Sequence, residues 1–301
     1  MIDVTLQKMT SEQVIEMGDG LLAGGFFAMA KELYGAALRH ESRTAMRFRL
    51  RLRMGLAGDR RTRSQKLLQD LKRFEAEDSQ VFVSAGMITW MKNIPFLDDE
   101  RFMALEEKHQ HLLPIPNWHW NLQTVVWALH QTRDVEGDLV EMGVFKGHTT
   151  LFCAEYHDFQ DWPKRWVLFD TFDGIPDDQV DAGWEQVNTS TYKGTYSYED
   201  TRDRFAGYPN IEVIQGRVPE ILQDHCPEKV SFLHIDLNNT TAEIAALEFT
   251  LDRLSPGGVL ILDDYCWAPA RAQFLAERQW FGERGLHVLP LPTGQGVFIK
   301  R

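Results

Sequence analysis

A glycine-containing turn between two predicted strands constrains this chain more than any other feature. The apolar segment Asp138–Met142 leads into Gly143, a second glycine follows at Gly147, and the next apolar segment, Trp166–Asp170, ends in an acid. In a doubly wound α/β domain, such a turn opens a helix whose first N–H groups face a ligand, while the acid after the second strand accepts ribose hydroxyls. The pattern predicts a domain that binds an adenosine-containing cofactor.

The spacing of the two glycines indicates which cofactor is bound. Dinucleotide sites carry G-x-G-x-x-G, in which the middle glycine lets the backbone approach a pyrophosphate. Here the pattern is E-x-G-x-x-x-G, which has no middle glycine and places Glu141 in front of Gly143. Because a carboxylate beside the turn suits a cationic sulfonium better than a diphosphate, we expect S-adenosylmethionine.

Three carboxylates follow two further predicted strands. Ser231–Asp236 is an apolar segment that ends in an acid, and Val259–Leu262 leads into Asp263 and Asp264 after a predicted turn at Ser255–Gly258. The carboxyl ends of parallel strands share one edge of a sheet, so these acids should converge near the cofactor. Clustered carboxylates favour a hard divalent cation, here Mg²⁺. The alternative is that Asp263 caps a helix and Asp264 is a solvated loop acid.

Five motifs, in one order, resemble those of the macrocin O-methyltransferase family. They are Glu141-x-Gly143-x-x-x-Gly147, Asp170-Thr-Phe-Asp-Gly-Ile-Pro176, Ile235-Asp236, Leu254-Ser-Pro-Gly-Gly258 and Asp263-Asp264-Tyr265. Members of this family are class I enzymes that depend on S-adenosylmethionine and Mg²⁺ and methylate sugar hydroxyls of macrolide and aminocoumarin antibiotics. The resemblance, over about residues 95–301, implies a Rossmann-like α/β fold with a doubly wound, mostly parallel sheet.

The resemblance also implies roles for individual residues. Glu141 and the Gly143 turn would hold the methionine end of the cofactor, Asp170 the ribose, and Gly216 with Arg217 would lie beside the adenine. The implied cofactor-binding residues are Glu141, Gly143, Val144, Gly147, Thr149, Asp170, Thr171, Phe172, Gly216, Arg217 and Asp236. The implied metal ligands are Asp236, Asp263 and Asp264.

One position departs from the family pattern. Asn238 stands where the family usually carries an acid that is taken to be the general base, and an amide cannot accept the proton of a hydroxyl. The metal alone could acidify the acceptor, the acceptor could be acidic already, or another group could act as the base. His234 and His148 are the candidates, and the base stays unassigned. A different acceptor, such as an amine, a phenol or a carboxylate, and a non-catalytic scaffold are the alternatives.

The N-terminal region differs in character from the rest. Residues 1–95 are predicted to be helical and residues 96–301 to form the methyltransferase domain. Leu22-Ala-Gly24 recurs as Leu56-Ala-Gly58, and this offset of 34 residues is the period of a tetratricopeptide hairpin. Two unrelated helical hairpins would give the same pattern by chance. The region is expected to cap the catalytic domain, to dimerise or to recruit a carrier.

Charge separates the two regions as well. Between Glu41 and Glu75 there are eleven Lys or Arg residues against four acids, whereas the whole chain has a net charge of −12. Nucleic acid is disfavoured as a partner because the rest of the chain would repel it. The basic block is expected to be a solvated helical face or a contact surface in a homo-oligomer.

The expected ligand is a small-molecule acceptor, either a sugar or an intermediate of natural-product or polysaccharide biosynthesis.

Two further expectations concern the surroundings and the binding loop. Three widely spaced cysteines without a C-x-x-C pair, together with the lack of a signal segment or a long apolar run, favour a cytoplasmic protein that has no membrane contact. The polar segment 177–199 is predicted to be a long loop that acts as a lid or binding loop. Its Trp184, Tyr192, Tyr196 and Tyr198 are candidates for stacking on the acceptor.

Overall fold

The computed structural model describes residues 10–23, 26–41, 46, 49–50, 53–54, 81–90, 92–113 and 118–301. The chain divides into two compact units, Met1–Val81 and Phe82–Arg301. This division lies before the predicted boundary at 95/96. The Phe82 ring packs within the second unit, with centroid distances of 5.4 Å to Phe96 and 5.3 Å to His119. Residues 82–95 therefore belong with the larger unit.

The first unit contains a helical hairpin. Helices α1 (Ser11–Ala23) and α2 (Phe27–His40) pack through apolar residues of both. A Cβ atom on Gly18 would lie 2.3 Å from Cε1 of Tyr34, so only glycine permits this close approach. A helical N-terminal region is confirmed for these residues.

Two predictions for the first unit involve residues beyond those that the structure describes. The second copy of the predicted 34-residue repeat, at Leu56–Gly58, lies outside the described residues. Most of the basic block between Glu41 and Glu75 does as well. The repeat and the contact surface therefore stay predictions.

The second unit is built on a mixed sheet of seven strands within the described residues. These strands are β3 Asp138–Met142, β4 Trp166–Asp170, β5 Ile211–Gln215, β6 Val230–Ile235, β7 Leu254–Leu262, β8 Leu289–Pro290 and β9 Gly296–Ile299. A separate two-stranded sheet consists of β1 Val81–Ser84 and β2 Met87–Trp90.

The order of the large sheet is β5-β4-β3-β6-β7-β9-β8. The pairs among β3 to β7 are parallel, and β9 is antiparallel to both β7 and β8. The chain runs outward from β3 to β5 and then returns to the other side of β3 at β6. This reversal opens a crevice beyond the carboxyl ends of β3 and β6, where ligands bind in such sheets. The predicted doubly wound, mostly parallel sheet is confirmed.

Helices cover both faces of the sheet. They are α3 Glu100–His109, α4 His119–Thr132, α5 His148–Tyr156, α6 Glu185–Val187, α7 Tyr198–Arg204, α8 Leu222–His225, α9 Thr240–Thr250 and α10 Arg271–Glu283. None of the helices in the described ranges is both long enough and apolar enough to cross a bilayer.

Strand alternation builds a separate core on each face. On β4, Trp166 and Leu168 join one apolar cluster, whereas Val167 and Phe169 join the other. Because neighbouring side chains of a strand point to opposite faces, a strand covered on both sides must be apolar throughout. All five residues of β4 are buried. This explains why the central strands are continuous apolar runs that end abruptly in acids.

Two predicted irregular segments are more ordered than expected. Ser255–Gly258 was predicted as a turn but lies within β7, because Leu254 pairs with Val230 while Val259 pairs with Phe232. The extra residues form a bulge. Segment 177–199 was predicted to be irregular, but it contains α6 and a turn of π-helix at Asn188–Tyr192.

Candidate active site

A cavity of about 760 Å³ lies at the carboxyl ends of the central strands. Residues that follow β3, β4, β6 and β7 line it, including Gly143, Thr171, Asp236 and Asp264. The volume is in the range of cavities that hold small-molecule ligands. Its position is the crevice at which the sheet order reverses.

Gly143 joins the turn after β3 to the turn after β6. Its φ is 86°, and a Cβ atom at this position would lie 1.9 Å from the carbonyl oxygen of Asp236. No other residue fits without moving the backbone. Gly147, with φ 75°, precedes α5, and a Cβ there would lie 2.8 Å from the Phe205 ring. Both motif glycines are thus required by close packing.

Asp170 ties the glycine turn to the end of β4. Its Oδ2 accepts hydrogen bonds from the N–H groups of Val144 (2.7 Å) and Phe145 (2.8 Å). Its Oδ1 accepts from the N–H of Phe172 (2.7 Å) and the hydroxyl of Tyr196 (3.0 Å). Burial raises the pKa of Asp170, and these hydrogen bonds limit the rise. Asp170, the predicted ribose acceptor, therefore already accepts four hydrogen bonds from other groups of the protein.

A buried chain of charged groups runs beneath the cavity. Nδ1 of His234 lies 2.9 Å from Oε1 of Glu141, and its Nε2 lies 3.5 Å from Oδ1 of Asp263. Glu141 also accepts a hydrogen bond from Thr150, and Asp263 accepts one from Nε2 of Gln295 at 2.8 Å. Burial acts to lower the pKa of His234, but Asp263 and Glu141 raise it well above its usual value. His234 does not line the cavity, and its two ring nitrogens face carboxyl groups, so the ring lies away from the acceptor space.

The three predicted metal ligands all line the cavity. Burial, followed by the charges of neighbouring acids, raises the pKa of Asp236 and of Asp264 well above the usual value. Burial also acts to raise the pKa of Asp263, but the hydrogen bonding and the charge of His234 lower this pKa overall. The carboxyl groups therefore repel one another at the cavity wall.

The donor set suits a divalent cation in its chemistry but not in its present arrangement. Asp236, Asp263, Asp264 and the Asn238 amide offer only hard oxygen ligands, and the raised pKa values of two acids indicate unbalanced negative charge. Within the described residues, however, no three His, Cys, Asp or Glu side chains are spaced to hold a metal ion. The chemistry fits Mg²⁺, but the side chains are not assembled as a coordination shell.

Asn238 occupies the position of the usual acid in a left-handed conformation with φ 57°, which Asn tolerates better than most residues. Its Nδ2 donates to Oδ1 of Asp236 at 2.7 Å. The amide therefore neutralises part of the charge repulsion at the strand end instead of accepting a proton.

Segment 177–199 packs against the glycine turn. The Phe145 ring contacts Tyr192 and Tyr196, at centroid distances of 5.7 Å and 4.7 Å. Asn188 fixes the segment because its side chain accepts from the N–H of Ile175 and donates to the carbonyl of the same residue. Several residues of the segment line the cavity, and the segment has a defined structure there.

The structure brings half of the predicted site residues together at the cavity. The predicted residues that line it are Gly143, Asp170, Thr171, Gly216, Asp236, Asn238, Asp263 and Asp264. The predicted residues that do not line it are Glu141, Val144, Gly147, His148, Thr149, Phe172, Arg217 and His234. Of the second group, Glu141 and His234 bind each other, and Arg217 forms an ion pair with Asp178 at 2.6 Å.

His148, the other candidate base, is also buried away from the cavity. Both of its ring nitrogens lack a hydrogen-bond partner, and burial lowers its pKa to about 3. The structure therefore supports neither histidine as the base.

Aromatic residues supply part of the wall. Trp184, Tyr192 and Tyr196 line the cavity, whereas Tyr198 does not. Trp118 also lines the cavity. So do Phe145 and Trp267, which the sequence motifs did not indicate. Their closeness to the motifs in the sequence could have indicated them, because Phe145 lies between the two motif glycines and Trp267 closely follows Asp264.

Known proteins with similar sequences share this domain. The family profile of Macrocin-O-methyltransferase (TylF) matches residues 120–284. The 8-demethyl-8-(2,3-dimethoxy-alpha-L-rhamnosyl)-tetracenomycin-C 4'-O-methyltransferase of Streptomyces olivaceus is 29% identical over 140 residues, which are 44% of this chain and 54% of that protein. The Mycinamicin III 3''-O-methyltransferase of Micromonospora griseorubida is 30% identical over 145 residues, which are 44% of this chain and 56% of that protein.

The matched segment spans about half the length of both relatives. Among solved structures, the O-methyltransferase NovP superposes with a TM-score of 0.54 at 20% identity, over 65% of this chain and 88% of that chain. This likeness confirms the fold as that of class I S-adenosylmethionine-dependent methyltransferases. On the evidence of the profile match, which covers more than half of its length, the chain belongs to the macrocin O-methyltransferase family.

Proposed function

We propose that this chain is an S-adenosylmethionine-dependent O-methyltransferase that acts on a hydroxyl of a small molecule, a sugar or an intermediate of natural-product or polysaccharide biosynthesis. One observation carries the proposal. In a chain of this family, the glycine turn at Gly143 and the strand-end acids Asp236, Asp263 and Asp264 face one cavity at the reversal of the sheet order. Both relatives are named as O-methyltransferases, and the name of the Streptomyces olivaceus protein includes a rhamnosyl group in its acceptor, which supports the acceptor class.

S-adenosylmethionine would supply its sulfonium methyl group to the acceptor oxygen, in exchange for the hydroxyl proton, and would leave as S-adenosylhomocysteine. Gly143 and Gly216 line the part of the cavity where the proposed cofactor would lie. Segment 177–199 lines the cavity and would limit access of water to the reacting atoms. The contribution of these residues is alignment of donor and acceptor.

Asp236, Asp263 and Asp264, which all line the cavity, would hold Mg²⁺. The ion would lower the pKa of an acceptor hydroxyl and help to position it. The hydrogen bond from Asn238 Nδ2 keeps Asp236 oriented toward the cavity. Dependence on Mg²⁺ is part of this proposal.

Binding of S-adenosylhomocysteine tests the proposal directly. It should raise the melting temperature, because a ligand that binds only the folded state stabilises it. Absence of binding at millimolar ligand by calorimetry, with the protein folded, would exclude the methyltransferase reaction. Binding without turnover on any sugar, phenol, amine or carboxylate acceptor would instead identify a non-catalytic scaffold.

Dependence on the metal is tested with a chelator and with Asp236→Ala and Asp264→Ala. Each treatment should remove most of the turnover while the affinity for S-adenosylhomocysteine stays within a few fold. Turnover that survives all three would show that the acids do not hold a required ion.

A further inference from the structure

Two acids are completely buried where helices α9 and α10 pack against each other. Glu243 of α9 and Glu277 of α10 are both 0% exposed. A carboxyl group that is taken out of water costs free energy unless hydrogen bonds or opposite charges compensate for the lost hydration. The contacts of the four carboxyl oxygens show how this cost is limited.

One oxygen of each carboxyl group accepts a hydrogen bond from another residue. Oε1 of Glu243 accepts from the N–H of Leu237 at 2.8 Å. Oε1 of Glu277 accepts from Nε2 of Gln273, itself 1% exposed, at 3.3 Å. Oε2 of both acids is buried and accepts no hydrogen bond from an N–H or hydroxyl group of the described residues. Each acid therefore has one buried oxygen that other residues leave without a donor.

The two carboxyl groups are hydrogen-bond partners of each other. An ionised carboxylate only accepts, so such a bond forms only when one of the two acids carries a proton. Burial, followed by the charge of Glu277, raises the pKa of Glu243 well above its usual value. Burial also raises the pKa of Glu277, to about 8. One proton is therefore shared by these acids near neutral pH, as is typical of two carboxyl groups at one site.

The backbone group that Glu243 binds belongs to the turn after β6. The N–H of Asp236 still donates to a sheet carbonyl, that of Met142, at 2.8 Å. At Leu237, which lines the cavity, side chains take over this role. Its N–H donates to Glu243, and its carbonyl oxygen accepts from Nδ2 of Asn239 at 3.0 Å. These side chains thus set the path of the turn.

The turn after β6 also contacts the glycine turn after β3. A Cβ atom on Gly143 would lie 1.9 Å from the carbonyl oxygen of Asp236, so the two backbones are in close contact. A shift of Leu237 would move Asp236 and, through it, Gly143. The two buried acids are therefore linked to the part of the cavity where the cofactor is proposed to lie.

We propose that Glu243 and Glu277 are positioning residues of the site: their shared proton fixes Glu243 on the N–H of Leu237 and thereby holds the turn after β6 against the glycine turn. The inference rests on the proposed methyltransferase function and adds two residues that no sequence motif indicated. Neither acid lines the cavity. Their substitution should change the shape of the site without removing a group from it.

The affinity for S-adenosylhomocysteine, measured by calorimetry on the full chain, tests the role of Glu243 without turnover. Glu243→Ala removes the acceptor of the Leu237 N–H and should weaken binding by about tenfold or more, the size of one hydrogen bond. Glu243→Gln should bind within about threefold of the parent, because its amide oxygen accepts from Leu237 and its amide nitrogen donates to Glu277 in place of the proton. Glu277→Gln should retain affinity for the same reason.

Two substitutions on α9 are matched controls. Leu247→Ala removes a fully buried apolar side chain that does not line the cavity. It should lower the melting temperature without changing the affinity of the folded protein. Glu248→Ala removes an exposed acid of the same helix and should change neither quantity. If Glu243 had a role in stability alone, Glu243→Ala would behave like Leu247→Ala.

Infrared spectroscopy tests the shared proton separately, because the carbonyl stretch of a protonated carboxyl group differs from the stretches of a carboxylate. The difference spectrum between the parent and the double variant Glu243→Gln/Glu277→Gln at neutral pH should contain the band of a protonated carboxyl group. Both proteins are expected to fold, since the two amides can replace the hydrogen bonds of the acids. This measurement therefore decides the matter even if Glu243→Ala does not fold.

Three results would each overturn the proposal. They are parental affinity in a folded Glu243→Ala, a loss in either Gln variant as large as the tenfold expected for Glu243→Ala, and absence of the infrared band. Failure of the parent to bind S-adenosylhomocysteine would instead remove the methyltransferase function. The infrared band does not depend on the cofactor, so the two failures are distinguishable.

Discussion

Asn238 donates its Nδ2 to Oδ1 of Asp236 at 2.7 Å, across the turn that follows β6. The family's usual acid at this position would place two carboxylates at hydrogen-bonding distance. The amide instead supplies a donor to an acid whose pKa is already raised by burial and by Asp263. This departure from the family motif therefore stabilises the strand end where the proposed metal ligands begin.

Replacement of Asn238 by Asp should make the protein depend on divalent cations for stability. In a chelator, Asn238→Asp loses a donor and gains repulsion with Asp236, which should cost about 1–3 kcal/mol of unfolding free energy. Mg²⁺ should recover most of this loss. Asn238→Gly is the control, since it tolerates φ 57° and adds no charge. Denaturant melts with and without Mg²⁺ measure both, and an equal response of the two variants would contradict the prediction.

Gly143→Ala should disrupt the link between the turns after β3 and β6. The new Cβ would lie 1.9 Å from the carbonyl oxygen of Asp236, and the left-handed backbone adds further strain. We expect a loss of about 2–4 kcal/mol, since overpacking and a left-handed residue each cost about 1–3 kcal/mol. Gly207→Ala, where nothing lies within 4 Å of the added atom, should change stability little. Chemical denaturation compares the two, and similar losses would refute the packing argument.

Tyr196→Phe should bind S-adenosylhomocysteine more tightly than the parent. The Tyr196 hydroxyl donates a hydrogen bond to Oδ1 of Asp170, the proposed ribose acceptor. This hydrogen bond must break if a ribose hydroxyl binds to the same oxygen. Removal of this competitor should improve affinity by up to about tenfold, the size of one modest hydrogen bond. Tyr192→Phe is the control, because no hydrogen bond from Tyr192 to Asp170 is formed. Calorimetry that finds weaker binding in Tyr196→Phe would place the ribose elsewhere.

Two buried histidines, His148 and His157, should make the protein less stable as the pH falls. Burial lowers the pKa of His148 to about 3 and that of His157 to about 4. Below about pH 6.5 these histidines bind protons in the unfolded chain, whereas in the folded protein they stay neutral until the pH nears their lowered pKa values. The free energy of unfolding is therefore retained above about pH 6.5 and decreases as the pH falls toward those values. Each histidine should contribute about 1.4 kcal/mol per pH unit in this window.

His148→Leu tests the assignment. It should reduce the slope of unfolding free energy against pH by about one proton between pH 4 and 6, measured by denaturant melts at several pH values. Melts of the parent protein at the same pH values give the reference slope. An unchanged slope in His148→Leu would mean that this side chain titrates normally in the folded protein.

The strand ends of the site could be predicted because strands buried on both faces leave a clear mark in the sequence. Continuous apolar runs stop at Asp170, Asp236 and Asp263, and parallel strands share one edge, so convergence of the acids follows. The distance of each strand side chain from the cavity could not be predicted. Alternation puts His234 and Asp236 on one face, but His234 lies beneath the cavity and Asp236 at its wall.

The partners of buried polar groups depend on sheet order, which local sequence does not reveal. Glu141 pairs in register with His234 because β6 returns beside β3, and so the acid before the glycine turn points into a charged chain rather than at the cavity. Segment 177–199 was also beyond sequence reasoning. It lacks an apolar periodicity, and its helical turns depend on contacts such as those of Asn188 with Ile175.

The chain of Glu141, His234 and Asp263 crosses three adjacent strands inside the sheet. Dipoles and charges fixed in a folded interior do not reorient as solvent does when a reaction redistributes charge. Mobile salt ions also screen them far less than surface groups. Glu141 and Asp263 flank the single ring of His234, so acidic side chains outnumber basic ones in this buried cluster. A cationic ligand bound above it should therefore keep most of its affinity as ionic strength rises.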